Sequence, residues 1–432
     1  MALTGRTALA AALGALLVGL VLPGWSGLLA VQLPLLTAVL YDLARAAPVR
    51  NLRFSRTGDT SVRLGNAADV DLLVTNPGPR PLRAHLRDAW PPSARPDDAS
   101  RHRFHLPPGE SRRLRTTLRP TRRGTRTADR VTVRSYGPLG LAARQGSHDV
   151  PWSVRVLPAF TSRKHLPAKT ARLRELDGRT SILTRGEGTE FDSLREYVPG
   201  DDTRSIDWRA TARQTHVAVR TWRPERDRRI LVVLDTGRTS AGRVGDAPRL
   251  DAAMDAALLL TALASRAGDR VDLLAYDRTP RATVHGRTQH DVLPAFVEAM
   301  APLEPALVES DARGLATTVH RMSPHRSLLV LLTGLDASAV QENLLPVLPQ
   351  LTARHTLLVA SVADPRIQEM AAARGSIDAV YEAAAAERAL AERQNTADLL
   401  RRHGVTVVDA PPEDLAPALA DAYLTLKSKG RL

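Results

Sequence analysis

The first 46 residues contain an uncharged apolar run that is too long for one membrane-crossing helix. Residues 7–41 hold no charged side chain, whereas one helix needs about 20 apolar residues to cross about 30 Å of hydrocarbon. Pro23 and Gly24 interrupt the run as a turn between two helices does. The pattern therefore predicts a two-helix transmembrane hairpin within residues 1–46. The predicted passes are Thr7–Leu22 and Gly27–Tyr41.

Positive charges flank this hairpin on both sides. Arg6 precedes the first pass, four arginines follow the second pass between positions 45 and 56, and the turn carries none. Positively charged flanks stay in the cytoplasm. We therefore expect a multi-pass protein of the cell membrane with both termini and the soluble domains in the cytoplasm. A cleaved signal peptide is the alternative, but it accounts only for the first apolar run.

Residues 47–158 alternate between apolar and polar positions, as strands with one buried face do. The alternation is clear at Val70, Leu72 and Val74, and again at Val131 and Val133. Turn signals such as Asn76-Pro77-Gly78 separate these runs. Short strands at this spacing predict a β-sandwich-like domain.

Residues 230–432 carry a different pattern, in which buried strands alternate with helices. Ile230–Leu234 is continuously apolar, which is typical of a strand covered on both faces. Leu250–Ala267 has helical periodicity and ends at Gly268. This alternation predicts an α/β doubly wound domain around a parallel sheet. Further strands are predicted at Val271–Tyr276, Ser327–Leu332, His355–Val362 and Val405–Val408, and further helices at Asp311–Met322, Ser376–Arg402 and Glu413–Leu426.

Composition narrows the classes of partner. The 432 residues carry a formal net charge of +14 and no cysteine, which excludes disulfides and thiolate chemistry. Aromatic residues make up only 4%, and no run alternates basic with aromatic side chains, so no nucleic-acid partner is expected. The basic balance instead suits a protein that lies against a lipid bilayer with acidic headgroups.

Residues 159–229 form a charged segment with an unusual string. From Arg185 to Arg209 it reads R-G-E-G-T-E-F-D-S-L-R-E-Y-V-P-G-D-D-T-R-S-I-D-W-R. This string resembles the signature of the domain-of-unknown-function 58 (DUF58) family, and the resemblance extends from Pro48 to the C-terminus. It implies a C-terminal domain of von Willebrand factor type A-like fold. It also implies a partner, because members of the family are often encoded beside AAA+ ATPases of the MoxR kind.

The signature segment supports two interpretations. Its carboxylates are either a catalytic group or, as we favour, members of a salt-bridged structural segment that threads between the two domains and contacts a partner. Arginine forks suit paired carboxylates in such segments. Trp208, the largest apolar residue here, is expected to be buried in a groove between the domains. The candidate interaction and structural residues are Arg195, Tyr197, Gly200, Asp201, Asp202, Arg204, Asp207, Trp208 and Arg213.

A degenerate metal site is the remaining candidate for chemistry. The type A resemblance implies a divalent metal at the carboxyl edge of the sheet, with ligands from Asp235, Thr239, Asp311 and Asp336. Glycine occupies two positions, 237 and 334, where that pattern has ligands. Mg²⁺ needs several oxygen ligands in octahedral array, so we expect no cofactor, or Mg²⁺ bound only weakly.

Two hypotheses for function follow. The first is a membrane-anchored scaffold or adaptor that works with an AAA+ ATPase and is not an enzyme. The second is a metal-dependent hydrolase built on Asp235, Asp311 and Asp336. The sequence lacks Gly-x-Ser-x-Gly and His-Glu-x-x-His motifs, which favours the first hypothesis.

Overall fold

The computed structural model describes residues 1–97, 100–183, 190–199, 201, 203–213, 216–223 and 228–430. It shows a mixed α/β protein that divides into two compact units, Met1–Leu157 and Pro158–Leu432. The charged segment that follows residue 158 therefore folds within the same unit as the C-terminal sheet. Gly200 and Asp202 of the signature lie outside the described residues.

The first unit begins with strand β1 (Ala2–Leu3) and two apolar helices, α1 (Gly5–Leu20) and α2 (Trp25–Arg45). The turn between them places Gly24 at φ +133°, a conformation that costs glycine little because it has no Cβ. Gly14 of α1 lies against Val31 of α2, so the helices pack together. Among the described residues, one helix, α2, is long and apolar enough to cross a membrane. α1, with 16 residues, is shorter, so the other predicted pass is not shown.

Three antiparallel or mixed sheets complete the first unit. Their orders are β1-β10-β9-β5-β6, β2-β4-β7 and β3-β11-β8. The first two sheets share one core, to which β4 contributes Leu72 and Val74, β5 contributes Leu86, and β9 contributes Val131 and Val133. The positions that alternation marked as buried are thus buried. The strands are β2 Arg53–Gly58, β3 Ser61–Arg63, β4 Ala68–Thr75, β5 Leu82–Asp88, β6 Arg101–Leu106, β7 Ser111–Leu118, β8 Gly124–Thr127, β9 Arg130–Tyr136, β10 Ala142–Asp149 and β11 Ser153–Leu157.

The second unit contains ten helices and ten strands among its described residues. The helices are α3 Leu166–Leu183, α4 Trp208–Thr211, α5 Arg238–Ala241, α6 Arg249–Arg266, α7 Val292–Met300, α8 Ala312–Met322, α9 Leu345–Thr352, α10 Pro365–Ala372, α11 Ile377–Arg402 and α12 Pro412–Ser428. The strands are β12 Glu190–Glu196, β13 Ala218–Arg223, β14 Arg229–Asp235, β15 Arg243–Val244, β16 Ala247–Pro248, β17 Arg270–Tyr276, β18 Pro280–Val284, β19 Leu328–Leu332, β20 Thr356–Val362 and β21 Thr406–Ala410.

A six-stranded sheet organises this unit in the order β18-β17-β14-β19-β20-β21. Five strands are parallel, and only the edge strand β18 is antiparallel. Alternate residues of β14, such as Leu231 and Val233, pack with α8 and α9, while α6 covers the opposite face. The five predicted parallel strands and four predicted helices are confirmed within one or two residues at most of their ends.

Helix α3 corrects our view of the charged segment. We expected residues 159–229 to thread between two domains, but α3 packs against α6 and α12 within the second unit. Leu166 and Leu173 are its buried anchors, and Lys169 Nζ lies 2.7 Å from Asp421 Oδ1. So few apolar positions give a weak helical pattern, which is why the composition resembled that of a linker.

Candidate functional site

The crevice between the carboxyl ends of β14 and β19 is where this topology favours a ligand. From β14 the chain passes to β17 on one side, and it later returns to β19 on the other side. Loops at such a switch point diverge and leave a crevice at the edge of the sheet. Asp235 ends β14 and Thr333 follows β19, so both residues lie at this edge.

The carboxylate of Asp235 accepts four hydrogen bonds there. Oδ1 accepts from the backbone N–H of Gly237 at 2.8 Å and from Ser310 Oγ at 2.6 Å. Oδ2 accepts from Thr239 Oγ1 at 2.7 Å and from Thr333 Oγ1 at 2.5 Å. The side chain is buried. A carboxylate offers about four lone-pair sites, so the protein itself occupies the acceptor capacity of Asp235.

Position 237, where the metal-binding pattern has a ligand side chain, is a glycine. The Ser310 hydroxyl fills the space beside it. A Cβ on Gly237 would collide with Ser310 Oγ and lie 2.9 Å from the backbone oxygen of Val308. The Ser310 hydroxyl thus occupies the space that a longer side chain at position 237 would need. The sequence predicted that Ser310 and Asp311 begin a helix that reaches this edge of the sheet. It did not predict the contact of Ser310 with Asp235, because the two residues are 75 positions apart and give no local signal.

The other two candidate carboxylates are used elsewhere. Asp311 caps the start of α8 by accepting hydrogen bonds from the backbone N–H groups of Arg313 and Gly314. Asp336 lies 3.8 Å from Arg249 Nη1 and is about half exposed. Among the residues that the structure describes, no three His, Cys, Asp or Glu side chains are grouped to hold a metal ion. Of the four predicted ligands, Asp235 and Thr239 are in direct contact.

A small cleft opens beside Asp235. Its volume is about 50 Å³, and its lining includes Tyr276, Leu315, Val340 and Leu344 beside the polar cluster. Burial, followed by the nearby carboxylates of Asp311 and Asp277, raises the pKa of the Tyr276 phenol. Tyr276 therefore stays protonated at neutral pH and can donate. Sequence reasoning missed Tyr276, although the last residue of the neighbouring strand is a natural place to look.

Within the signature segment, the structure describes a two-stranded antiparallel sheet, β12 with β13, and most of the residues between these strands. Arg195 Nη2 lies 2.5 Å from Asp201 Oδ1, and Arg220 Nη2 lies 2.8 Å from Asp207 Oδ2. Asp207 also caps α4, and the backbone N–H of Ala210, followed by Arg220, lowers the pKa of its carboxyl. These contacts support the structural interpretation for Asp201 and Asp207.

The expected burial of Trp208 is wrong. Its side chain is 69% exposed, at the first residue of the short helix α4. Arg204 and Arg213 are also exposed, whereas Tyr197 is half-buried and donates its backbone N–H to Val217. The segment therefore presents an aromatic side chain among arginines, which is the composition enriched at interface hot spots.

Comparison with known proteins supports the resemblance seen in the sequence over part of its predicted extent. The profile of the family described as "Protein of unknown function DUF58" matches residues 193–401. Uncharacterised proteins from Mycobacterium tuberculosis and Mycobacterium bovis are each 31% identical over 192 residues. That match covers 44% of this chain and 59% of the relatives, so it spans less than two thirds of their length.

Similarity to solved structures is low. The CARDB domain of a Pyrococcus furiosus protein is 15% identical over 24% of this chain and 92% of that chain, with a TM-score of 0.18. Alpha-2-macroglobulin from Escherichia coli is 11% identical over 36% of this chain and 9% of that chain, with a TM-score of 0.21. At these scores the similarity does not indicate a shared function.

Proposed function

We propose that the chain is a membrane-anchored adaptor, not an enzyme, which works with an AAA+ ATPase of the MoxR kind. In this proposal α1 and α2 cross the bilayer as a hairpin and both termini are cytoplasmic. The β-sandwich-like domain and the type A-like α/β domain then lie in the cytoplasm. The charged flanks of the helices support this orientation.

The hydrogen bonds to Asp235 are the main support for the proposal. Its four acceptor positions are taken by Gly237, Thr239, Ser310 and Thr333. A general base or a metal ligand needs a free lone pair directed at its substrate or ion. Asp311 Oδ1 caps α8, and Asp336 Oδ2 lies 3.8 Å from Arg249 Nη1. This edge of the sheet is thus built as a rigid, preformed surface with a small cleft, which suits recognition of a partner side chain.

The exposed Trp208 is the proposed contact for that partner. Trp and Arg dominate the energetics of many protein interfaces, and Trp208 stands next to Arg209 with Arg204 on the same segment. Because its side chain is already in water, replacing it removes partner contacts without opening a core cavity. Trp208→Ala therefore separates binding from folding.

Co-purification tests this proposal directly. The full chain, carrying an affinity tag and reconstituted in lipid nanodiscs, is mixed with the purified MoxR-type ATPase of the same organism, with and without ATP. We expect nucleotide-dependent retention by the wild type and loss of retention in Trp208→Ala. Tyr381→Ala, which removes another exposed aromatic side chain (74% exposed) on α11, is the matched control and should retain the ATPase.

Two results would overturn the proposal. One is wild-type protein that retains no ATPase under either nucleotide condition. The other is Mg²⁺- or Mn²⁺-dependent turnover of a phosphoester or peptide substrate that disappears in Asp235→Asn, since this would make Asp235 a catalytic group. Topology is checked separately with a reporter that is active only outside the cytoplasm. Fused after Leu432, it should stay silent.

A further inference from the structure

The outer face of the five-stranded sheet in the first unit is strongly basic. We call it the arginine face and define it by the outward residues of β5, β6 and β9. All six of its arginines are exposed, and His85 and His105 lie among them. The arginines are Arg83, Arg87, Arg101, Arg103, Arg130 and Arg134.

Strand register places these positive charges directly against one another. Arg87 lies opposite Arg101, and His85 lies between Arg103 on one neighbouring strand and Arg134 on the other. Like charges directly opposite each other on a sheet are destabilising. The arrangement costs stability in the isolated protein, so a counter-charge on this face would be accommodated favourably.

The three-stranded sheet β2-β4-β7 of the same unit pairs its outward arginines with carboxylates. Its outward Arg115 lies 2.9 Å from Asp71 and 3.7 Å from Asp69, and Arg113 lies 3.8 Å from Asp71.

At the β10 side of the face, Arg130 lies opposite Asp149 and Arg134 Nε donates to Gln145 Oε1 at 2.7 Å. Among the described residues no carboxylate lies within ion-pair distance of Arg83, Arg87, Arg101 or Arg103. Thus one sheet neutralises its outer arginines internally, and the other leaves these four available.

We propose that the arginine face is a docking surface for an acidic segment of a partner protein. Guanidinium forks bind carboxylates through two parallel N–H···O bonds. Rows of outward residues on the sheet are about 6.8 Å apart, and carboxylates four residues apart on a helix rise by about 6 Å. A helix with Asp or Glu on one face, or an extended acidic strand, can therefore follow the rows. The proposal deepens the adaptor function proposed above by naming the chemistry of a partner.

An anionic bilayer is the alternative binding partner for the arginine face, but only part of the face lies near the proposed anchor. Asp42 near the end of α2 bonds the backbone of Leu139 and Leu141, so the row that contains Tyr136 is nearest the proposed anchor. The chain leaving α2 advances along β10, since Val49 packs against Gly146. On that geometry the Arg87–Arg101 row lies two rows, or about 14 Å, farther out. Screening at physiological salt acts over about 8 Å, so a soluble segment is the better match.

Single-stranded nucleic acid fits less well. Its sequence-independent binding uses aromatic platforms on which bases stack. On this face Tyr136 is the aromatic residue, and its ring already packs against His85 at a centroid distance of 4.6 Å. The face supplies forks for anions but lacks a row of stacking surfaces, which favours carboxylates held by a protein backbone.

Peptide binding to the full chain tests the proposal. The chain is placed in phosphatidylcholine nanodiscs, and the probe is a fluorescent Glu/Ala peptide of about sixteen residues, about 24 Å long as a helix. We expect saturable binding by fluorescence anisotropy that weakens between about 0.05 and 0.3 M salt. The triple variant Arg87→Gln/Arg101→Gln/Arg103→Gln should weaken binding by about tenfold or more.

A matched variant removes the same charge from another place. Arg113→Gln/Arg115→Gln/Arg119→Gln lowers the net charge equally, on or just beyond β7, and should change the dissociation constant by less than about twofold because bulk charge alone has a small effect at this salt. The thermal midpoint of the arginine-face variant should not fall, because its substitutions remove like-charge contacts. A loss of peptide binding in this variant would then not be caused by a loss of folding.

Several outcomes contradict the proposal. The first is a wild type that does not bind the peptide. The second is an equal loss of peptide affinity in the two triple variants. The third is an arginine-face variant that binds the peptide as tightly as the wild type. Phosphatidylglycerol vesicles or single-stranded RNA that bind through the arginine face, while the peptide does not, would also reject a protein occupant. Retention of the ATPase is measured independently, so failure of this surface and failure of the adaptor function are distinguishable.

Discussion

Arg56 and Asp88 form a buried ion pair across the core of the first unit. Arg56 on β2 and Asp88 on β5 belong to the two sheets that share this core, and Nη2 lies 2.7 Å from Oδ1. Both side chains are almost fully buried, at 1% and 0% exposure. Trp90 Nε1 and Thr116 Oγ1 also donate to Asp88 Oδ2. The pair therefore links the sheets within an apolar interior.

Breaking this pair should destabilise the first unit strongly. Asp88→Ala leaves Arg56 charged and unpaired in the core, which costs about 3–5 kcal/mol. The exposed pair of Arg115 and Asp69, at 59% and 49% exposure, is the control, and Asp69→Ala should cost about 0–1 kcal/mol. Both changes in the free energy of unfolding are measured by urea unfolding, with hydrogen exchange of the β4 amides as the readout. Equal effects of the two substitutions would contradict the assignment of Arg56 and Asp88 as a buried pair.

The sequence predicted the parts of the fold that have a strong local pattern. The short, β-branched apolar run Ile230–Leu234 predicted a buried strand, and alternation at Val70–Val74 predicted a half-buried one. It did not reveal β18, an exposed edge strand with little apolar content, or α3, which is held by two leucines. Trp208 misled because size and apolarity suggest burial, while its helix start faces solvent.

The candidate site was predictable only in part. The topology rule identified the edge where Asp235 and Thr333 meet, and the sequence showed the glycine at 237. It could not show that Ser310 closes that position, because this contact joins distant parts of the chain. The arginine face was hidden for a similar reason, since the register that brings Arg87 opposite Arg101 exists only in the folded sheet.

Asp42 should hold α2 against the turn between β9 and β10. Its buried carboxylate accepts backbone N–H bonds from Leu139, Leu141 and Ala142, each at 2.7 Å. Asp42→Ala leaves one buried and two part-buried donors without this acceptor, and a lost partner costs about 1–3 kcal/mol where the donor is buried. We expect faster hydrogen exchange at residues 139–142 in nanodiscs, with β21 unchanged as the internal control. Unchanged exchange at 139–142 would mean that the loop holds its shape without Asp42.

His85 should report the electrostatics of the arginine face. Burial, followed by the charges of Arg103 and Arg134, lowers the pKa of its imidazole, and Tyr136 Oη lies 3.2 Å from Nδ1. The unfolded chain then binds this proton more readily. The stabilising contribution of His85 is therefore complete above the unfolded pKa of about 6.5. It is lost as the pH falls through the lower folded value.

Two changes should move the His85 pKa upward. Arg103→Gln removes one repelling charge, and the bound acidic peptide adds attracting ones. Titration of ¹³C-labelled histidine rings by NMR measures both shifts, and Arg113→Gln on the other sheet should leave the His85 pKa unchanged. A His85 pKa that is unchanged in Arg103→Gln would show that the charge of Arg103 does not act on His85.

The metal-binding capacity of the Asp235 cluster gives the last prediction. Mg²⁺ prefers octahedral oxygen coordination and retains waters, but here Gly237, Thr239, Ser310 and Thr333 donate to both carboxylate oxygens. A cation would have to displace these hydrogen bonds. Calorimetry on the full chain with Mg²⁺ and Mn²⁺ should therefore show no binding in the micromolar range.

Substitutions at the closed position test why the cluster rejects a cation. Gly237→Ser alone should destabilise the second unit, because the added side chain collides with Ser310. Combining it with Ser310→Ala removes the collision with the Ser310 hydroxyl and one of the two hydrogen bonds to Asp235 Oδ1. The double variant should therefore gain measurable Mg²⁺ affinity. Micromolar binding by the wild type that disappears in Asp235→Ala would contradict this account. No gain in the double variant would mean that Ser310 is not what closes the site.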